Sequence, residues 1–467
     1  MPDAGGAERI DREDRGRATW GSKLAFLLAA AGGSVGLGNV WGFPTLAGQN
    51  GGAAFLAVYL LAVATIGTPV MLAELAIGRR ARRNPIGAFR RIAPGTAWVA
   101  FGILAVFSMI VIIGFYSVVA GWTLVYVGRA ASGGLGGGDA AAAFAELAAD
   151  PARAIGSTFA FLGLTVAIVA GGVRRGIERW SKILMPILFV LLALLTARAV
   201  TLEGAGGGLA FYLQVDLGEL TPAAVLAAVG QAFFSLSLGT GAMITYGSYV
   251  SAEDDLPSST AWIVGLDTGV AFLAGLLVFP TLFHAGFPPD VEGPGMVFVA
   301  IASLLGSIPP EPWGGLVFGT GFFLLLAVAA LTSGIAMLEI PVSWLIDERG
   351  APRRKAAVGI GAVAFALGIP IALSGGAVET LSRLPGLGID LLSLLFTVFG
   401  QYALVVGALG VSLFVGWSRK GREAAREIAG ASARFALEGP WRLLIRFVCP
   451  VAIGGILVSL VAASIAG

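Results

Sequence analysis

The sequence predicts an all-α integral membrane protein of about eleven spanning helices, built as two inverted sets of five with helices one and six unwound, plus an eleventh helix outside the repeat. Three observations predict this fold class. The chain is 57% hydrophobic and 12% charged, with a mean hydropathy of +0.87, whereas soluble domains carry roughly 25% charge. Apolar stretches long enough to cross a bilayer, about 20 residues each, recur between short charged clusters. Two of those stretches are interrupted by glycine and serine at corresponding places in the two halves.

The expected spans are 22–46, 53–78, 98–128, 156–172, 180–199, 224–249, 258–284, 313–346, 356–374, 390–417 and 443–466. Residues 1–21 form an N-terminal segment, 22–199 the first repeat, 224–417 the second and 443–466 the extra helix. Period-two alternation is absent and Ala, Leu, Val and Gly dominate, so the spans are helices rather than strands of a barrel. Many of the 69 glycines fit close helix packing. The single Cys449 forms no intramolecular disulfide, and its place in the last span gives it a structural role. Residues 1–19 are charged and polar, so no cleavable signal is expected ahead of the first span.

Charge sets the orientation. With the N-terminus inside, 26 of the 30 basic residues fall on inner segments, leaving Arg129, Arg153, Arg198 and Arg383 outside. The positive-inside rule therefore places the N-terminus in the cytoplasm and the C-terminus outside an inner plasma membrane. These basic clusters are topology signals, and neither nucleic-acid binding nor a partner beyond lipid and a small solute is expected. A monomer or weak dimer is the expected state.

The two interruptions carry the functional reading. Gly32-Gly33-Ser34-Val35-Gly36-Leu37-Gly38-Asn39 breaks the first span, and Ser235-Leu236-Ser237-Leu238-Gly239-Thr240-Gly241 breaks the sixth. Unwound backbone at membrane depth is tolerated only where protein or an aqueous cavity satisfies it. Close helix packing is the competing explanation for the first run. A phosphate-cradling loop is excluded, because no strand precedes it and no Lys-Ser/Thr follows.

Few ionisable residues lie within the spans: Glu74, Asp267 and Glu339, with Asp347 at an inner end. A carboxylate at mid-bilayer costs about 2.5–3.5 kcal/mol on insertion scales and calls for a partner, a cation or a proton. No Lys or Arg falls near mid-depth to pair with Asp267, so a bound cation is the simplest remedy. Asn39, Ser235, Asp267, Thr332, Ser333 and freed carbonyls offer the oxygen ligands that hard cations take. One His and one Cys exclude a zinc or other transition-metal set, and no catalytic cluster points to an enzyme.

The motifs Gly36-Leu37-Gly38-Asn39-Val40-Trp41 through Pro44, Asn50-Gly51-Gly52, Pro69 with Glu74 and Gly78-Arg79, and Gly230-Gln231-Ala232-Phe233-Phe234-Ser235-Leu236-Ser237 go together. So do Gly293-Pro294-Gly295 with Phe298, and Leu331-Thr332-Ser333. From Trp20 to the C-terminus the chain resembles the neurotransmitter:sodium symporter family in its bacterial amino-acid-transporter branch, with the leucine-transporter-type fold. The resemblance implies a sodium-coupled symporter importing a neutral, hydrophobic L-amino acid by alternating access. It implies two sodium sites: the Ser34 carbonyl, Asn39, Ser235 and Asp267 completed by the solute carboxylate, and Gly32, Val35, Ala329, Thr332 and Ser333.

Solute contacts implied in the same way are Gly33, Ser34, the Leu37 and Gly38 amides, Ile112, Tyr116, Phe234, Ser237, Thr240, Ser333 and Met337. A half-helix N-terminus suits a carboxylate on physical grounds as well. Gly36 stands where monoamine carriers place Asp, so the solute should bring its own carboxylate. Asp267 stands where chloride-dependent members have Asn, beside a halide site that would include Tyr59, Gln231 and Ser235. Chloride is therefore not expected as a co-ion.

An inner gate of Arg17 and Asp347 with Trp20 and Tyr249 is implied. The outer gate departs from the family: Gly42 and Ser393 replace its usual Arg and Asp, which leaves Tyr116 and Phe234 to close over the solute. Gly176 and Pro186 enclose nine residues in the fifth span, a spacing associated with local unwinding, with a simple kink as the alternative. The missing outer gate also favours a second reading, a transporter-like sensor that binds an amino acid without moving it.

Overall fold

The computed structural model describes residues 18–135, 139–291, 296–305, 313–428 and 435–466. Arg17 and the Gly293-Pro294-Gly295 motif lie outside the described residues. Among those described there is helix and turn but no strand. Nine continuous helices are long and apolar enough to cross a bilayer, and the pair Lys23–Ser34 and Gly38–Gln49, bent by 54°, makes a tenth crossing. Pro222–Ser235 and Ala242–Gly247 flank the second break. Counted as one crossing, they complete the expected eleven.

Polar residues at the membrane boundaries start the helices, because the first turn of a helix leaves its N–H groups without partners. Ser22 accepts from the Ala25 amide, Asn84 from Ile86 and Gly87, Thr221 from Ala224 and Asp255 from Ser258. Asp150 accepts from Ala152 and Arg153, with Pro151 at the first helical position. The fourth span therefore starts at Pro151 and not at 156.

The first break is shorter than the glycine run suggested. Gly32, Gly33 and Ser34 are helical, Val35 is extended at φ −66° and ψ 113°, and helix resumes from Leu37 into a π turn, Gly38–Gly42. The second break is a tight turn over residues 236–241, in which Ser237 (φ 53°), Gly239 (φ 77°) and Gly241 (φ 77°) are left-handed. Span five is not unwound between Gly176 and Pro186: a π turn, Val173–Glu178, runs straight into the helix Arg179–Ala199 with Pro186 inside it. Gly176 serves close approach there, since a methyl group on it would lie 2.0 Å from the Ile168 carbonyl oxygen.

Small residues clamp the second break between its neighbours. A methyl on Gly239 would lie 2.1 Å from the Leu404 carbonyl oxygen, and one on Gly407 would lie 2.4 Å from the Gly239 carbonyl oxygen. Below the break, Gly78 of span two meets Ala242–Gly247, where a methyl would sit 2.1 Å from the Ile244 carbonyl oxygen. Overfilling such a contact costs about 1–3 kcal/mol, so Gly78→Ala is expected to lower the thermal midpoint of the detergent-purified protein in a fluorescence melt. An unchanged midpoint would show that this helix pair tolerates separation.

Spans three and eight pack against each other along their lengths, and span eight also packs on the helices Lys23–Ser34 and Ala242–Gly247 beside the two breaks. The last helix, Glu438–Ile465, is largely exposed at the margin. Its Cys449 is nonetheless fully buried, with Sγ 3.8 Å from the Ile66 carbonyl oxygen.

Candidate functional site

The two breaks meet, and a cavity of about 820 Å³ opens where they do. All eleven residues expected to touch a solute line it: Gly33, Ser34, Leu37, Gly38, Ile112, Tyr116, Phe234, Ser237, Thr240, Ser333 and Met337. Much of the remaining wall is apolar, from Met109, Phe115, Val119, Trp122, Phe144, Ala336, Ile340 and Phe396. Nothing in the sequence marks these, because an apolar residue facing a cavity and one facing lipid look alike within a span.

The cavity extends away from the N-terminal face, past Gly42, Asp390 and Ser393, to the loop at Ser374–Gly376 and to Ser382. Asp390 is the only Asp, Glu, Lys, Arg or His among the described residues that line it. Its carboxylate is engaged, accepting from the Ser393 amide at 2.9 Å and the Ser393 hydroxyl at 2.6 Å. Tyr116 and Phe234 both line the cavity but do not stack on each other: Tyr116 contacts the Phe161 ring at 6.2 Å, and Phe234 the Phe396 ring at 6.2 Å.

Beside the break in span one lies a buried polar cluster. Asn39 Nδ2 donates to Asp267 Oδ1 at 2.8 Å, to the Asp267 carbonyl at 3.2 Å and to Ser235 Oγ at 2.9 Å. Ser235 Oγ donates to Asp267 Oδ2 at 2.6 Å, and the Tyr59 hydroxyl donates to Ser235 Oγ at 3.2 Å. Asn39 Oδ1 accepts from the Gly36 amide at 3.1 Å, so the cluster also holds the break in span one. Gln231, expected at the halide position, instead donates to the Gly38 carbonyl at 3.1 Å. Asp267 thus has hydrogen-bond partners but, among the described residues, no basic residue in ion-pair contact, as its isolation in the sequence implied.

A second oxygen cluster sits on the other side of the break. Thr332 Oγ1 lies 2.9 Å from the Ala329 carbonyl oxygen and 3.4 Å from that of Val35, and Ser333 Oγ donates to the Val35 carbonyl at 2.9 Å. Gly32 lies alongside, a methyl on it reaching Thr332 Cβ at 3.2 Å. The buried Tyr116 hydroxyl makes no well-formed hydrogen bond among the described residues, although Ser333 and the Leu37 backbone are its polar neighbours. Leaving such a group unsatisfied costs about 1–3 kcal/mol, a cost that an oxygen-bearing ligand in the cavity would relieve.

Of the other buried carboxylates, Glu339 is fully engaged, while Glu74 has a partner on one oxygen and none on Oε2 among the described residues. Glu74 Oε1 accepts from the Gly239 amide at 2.7 Å and so braces the turn in span six. Glu339 accepts from the Tyr249 hydroxyl at 2.7 Å and pairs with Arg353, whose charge read only as a topology signal in the sequence.

The N-terminal face is closed. Trp20 is buried edge-on against the rings of Tyr246 and Tyr249. Its amide donates to the Tyr249 carbonyl at 3.1 Å, and its indole N–H to the Tyr246 carbonyl at 3.2 Å. Asp347 accepts from the Asn84 amide at 2.7 Å, which ties span eight to the end of span two. The expected partner Arg17 is outside the described residues. Among the described residues the packing on the N-terminal face thus contrasts with the cavity that reaches the loop at Ser374–Gly376 on the other side.

A model of the sodium:neurotransmitter symporter family matches residues 17–145 and 155–465. A sodium-dependent transporter of Bacillus subtilis, YhdH, itself uncharacterised, is 39% identical over 438 residues, covering 93% of this chain and 95% of the relative. Another uncharacterised sodium-dependent transporter, from Haemophilus influenzae, is 34% identical, covering 95% of this chain and 98% of its own. The crystal structure of MhsT in complex with L-phenylalanine is similar throughout, with a TM-score of 0.86 at 40% identity, covering 95% of this chain and 100% of that one.

Proposed function

This chain belongs to the sodium:neurotransmitter symporter family and is a sodium-dependent membrane transporter, not an enzyme; from that premise we propose that it imports a neutral, hydrophobic L-amino acid with sodium and without chloride. The observation that carries the proposal is the cavity itself. An apolar chamber with a single, already engaged carboxylate among its described residues ends at a broken helix and at a tyrosine hydroxyl that no residue holds in a well-formed hydrogen bond. Such a chamber favours a solute with an apolar side chain, and the break favours a carboxylate.

The MhsT complex with L-phenylalanine supports the same class of solute. In this reading Leu37, Gly38 and Tyr116 receive the carboxylate. One sodium ion takes the Ser34 carbonyl, Asn39, Ser235, Asp267 and the solute carboxylate itself, and a second takes Gly32, Val35, Ala329, Thr332 and Ser333. An ion whose shell is complete only with solute present binds more tightly then, and the coupling is reciprocal. The Asp267 carboxylate supplies the negative charge that chloride brings to relatives with Asn. Trp20, Tyr249 and Asp347 belong to the gate on the N-terminal face, which positive-inside charge assigns to the cytoplasm.

The test is uptake into proteoliposomes under an inward sodium gradient. Radiolabelled L-leucine, L-methionine, L-phenylalanine and L-tryptophan are expected to accumulate, L-glutamate and L-lysine are not, and replacing chloride by gluconate is expected to leave uptake unchanged. Failure of every neutral amino acid to accumulate would refute the solute class. Loss of uptake in gluconate would refute chloride independence.

A further inference from the structure

Seven glycines line the cavity, and at six of them a methyl group would meet another atom within 3.2 Å, so packing explains their lack of a side chain. Gly42 is the seventh, and a methyl there would meet nothing within 4 Å. Its backbone does not call for glycine either: φ −60° and ψ −44° are ordinary right-handed helix, where alanine is the more favourable residue. What the missing side chain leaves is space in the cavity wall.

That space is well placed. Gly42 lies about one helical turn beyond Gly38, roughly 5–6 Å along the first span, on the side where the cavity widens. Ser393 and Phe396 of span ten line the same chamber. We propose that Gly42 is a specificity-determining position: its bare backbone opens a recess along span one that receives the ring of a bulky aromatic amino acid, which the inner pocket alone does not hold. The inference rests on the amino-acid reading given above and adds the residue that sets the upper size limit.

A hinge at Gly42 would be the other use of such a glycine. It would weaken every solute alike when replaced, whereas a recess discriminates by size. The experiment is sodium-dependent equilibrium binding of L-tryptophan and L-valine to the purified full chain, comparing the unmodified protein with Gly42→Leu. Filling the recess is expected to lower the tryptophan-to-valine affinity ratio at least about tenfold, the low end of what a pocket's fit to side-chain size supplies. Gly163→Leu, the same change at an equally open helical glycine that does not line the cavity, is expected to leave the ratio unchanged.

An unchanged ratio in Gly42→Leu, whether both affinities fall together or neither falls, would overturn the inference. So would an equal drop in Gly163→Leu. If the leucine variant does not yield monodisperse protein, Gly42→Val is read in the same way. Absence of sodium-dependent binding in the unmodified chain would instead defeat the amino-acid reading, and the inference with it.

Discussion

Gly36→Ala is expected to abolish sodium-dependent amino-acid binding while leaving the protein folded. The added methyl would lie 2.4 Å from Ser333 Oγ, 3.2 Å from Ser333 Cβ and 3.3 Å from the Tyr116 hydroxyl. Gly36 is not in the left-handed region, so alanine meets no backbone strain and the whole effect is steric. Something must move, and the first contact is the Ser333 hydroxyl that now donates to the Val35 carbonyl at 2.9 Å. Overfilling costs about 1–3 kcal/mol, roughly 5- to 150-fold in affinity at 1.4 kcal/mol per tenfold. Displacement of both Ser333 and Tyr116, proposed contacts of ion and solute, adds to it, and a loss beyond about 100-fold is expected. Calorimetric titration with L-leucine in sodium measures it, with size-exclusion chromatography to check the fold. Affinity within a few fold of the unmodified protein would remove Gly36 from the site. The same geometry means that an aspartate at position 36, as in amine carriers, does not fit unless Ser333 is also reduced.

Asp267→Asn is expected to make uptake depend on chloride, if the unmodified carrier runs without it as proposed. Asn39 Oδ1 is held by the Gly36 amide, which fixes its Nδ2 as the donor facing position 267. An asparagine at 267 keeps the shape and can offer its oxygen to that donor, but its NH₂ then faces Ser235 Oγ, which already accepts from Asn39 and Tyr59, so the hydrogen bond that Ser235 donates to the carboxylate is lost together with the negative charge. At an effective dielectric of about 20, a charge 4 Å from a sodium ion contributes about 4 kcal/mol. Uptake in gluconate is therefore expected to fall at least about 100-fold. Added chloride is expected to recover part of it, since the Ser235 hydroxyl that now donates to the Asp267 carboxylate would be released to donate to an anion beside it. Full activity of Asp267→Asn in gluconate would show that the carboxylate is not the counter-charge.

Much of this site was legible because its polar members are out of place. An Asn, a Ser and an Asp within apolar spans have no lipid-facing use, and Asn39, Ser235 and Asp267 do come together. The apolar wall was illegible for the opposite reason. Phe396 and Trp122 sit in helices that are apolar all round, so no amphipathic stripe separates cavity from lipid. The glycine run of span one was half packing and half break. Gly32 and Gly33 face Met185, Thr332 and Ala336 at 2.9–3.2 Å from where a methyl would sit, and only Val35 and Gly36 leave the helix. Glu339 was visibly in need of a partner, but Arg353 reaches it from the start of the next span, a fold-back that no local pattern encodes.

The burial of Cys449 has a practical side. It is the only thiol in the chain and is fully enclosed, so maleimide reagents are expected to leave the native protein unmarked. A reporter cysteine introduced at Ser382 on the open mouth, or at Thr19 on the closed face, would then answer alone. Spin or fluorophore labels at such a pair would report whether the two faces open and close in exchange, in a natural background that needs no prior cysteine removal.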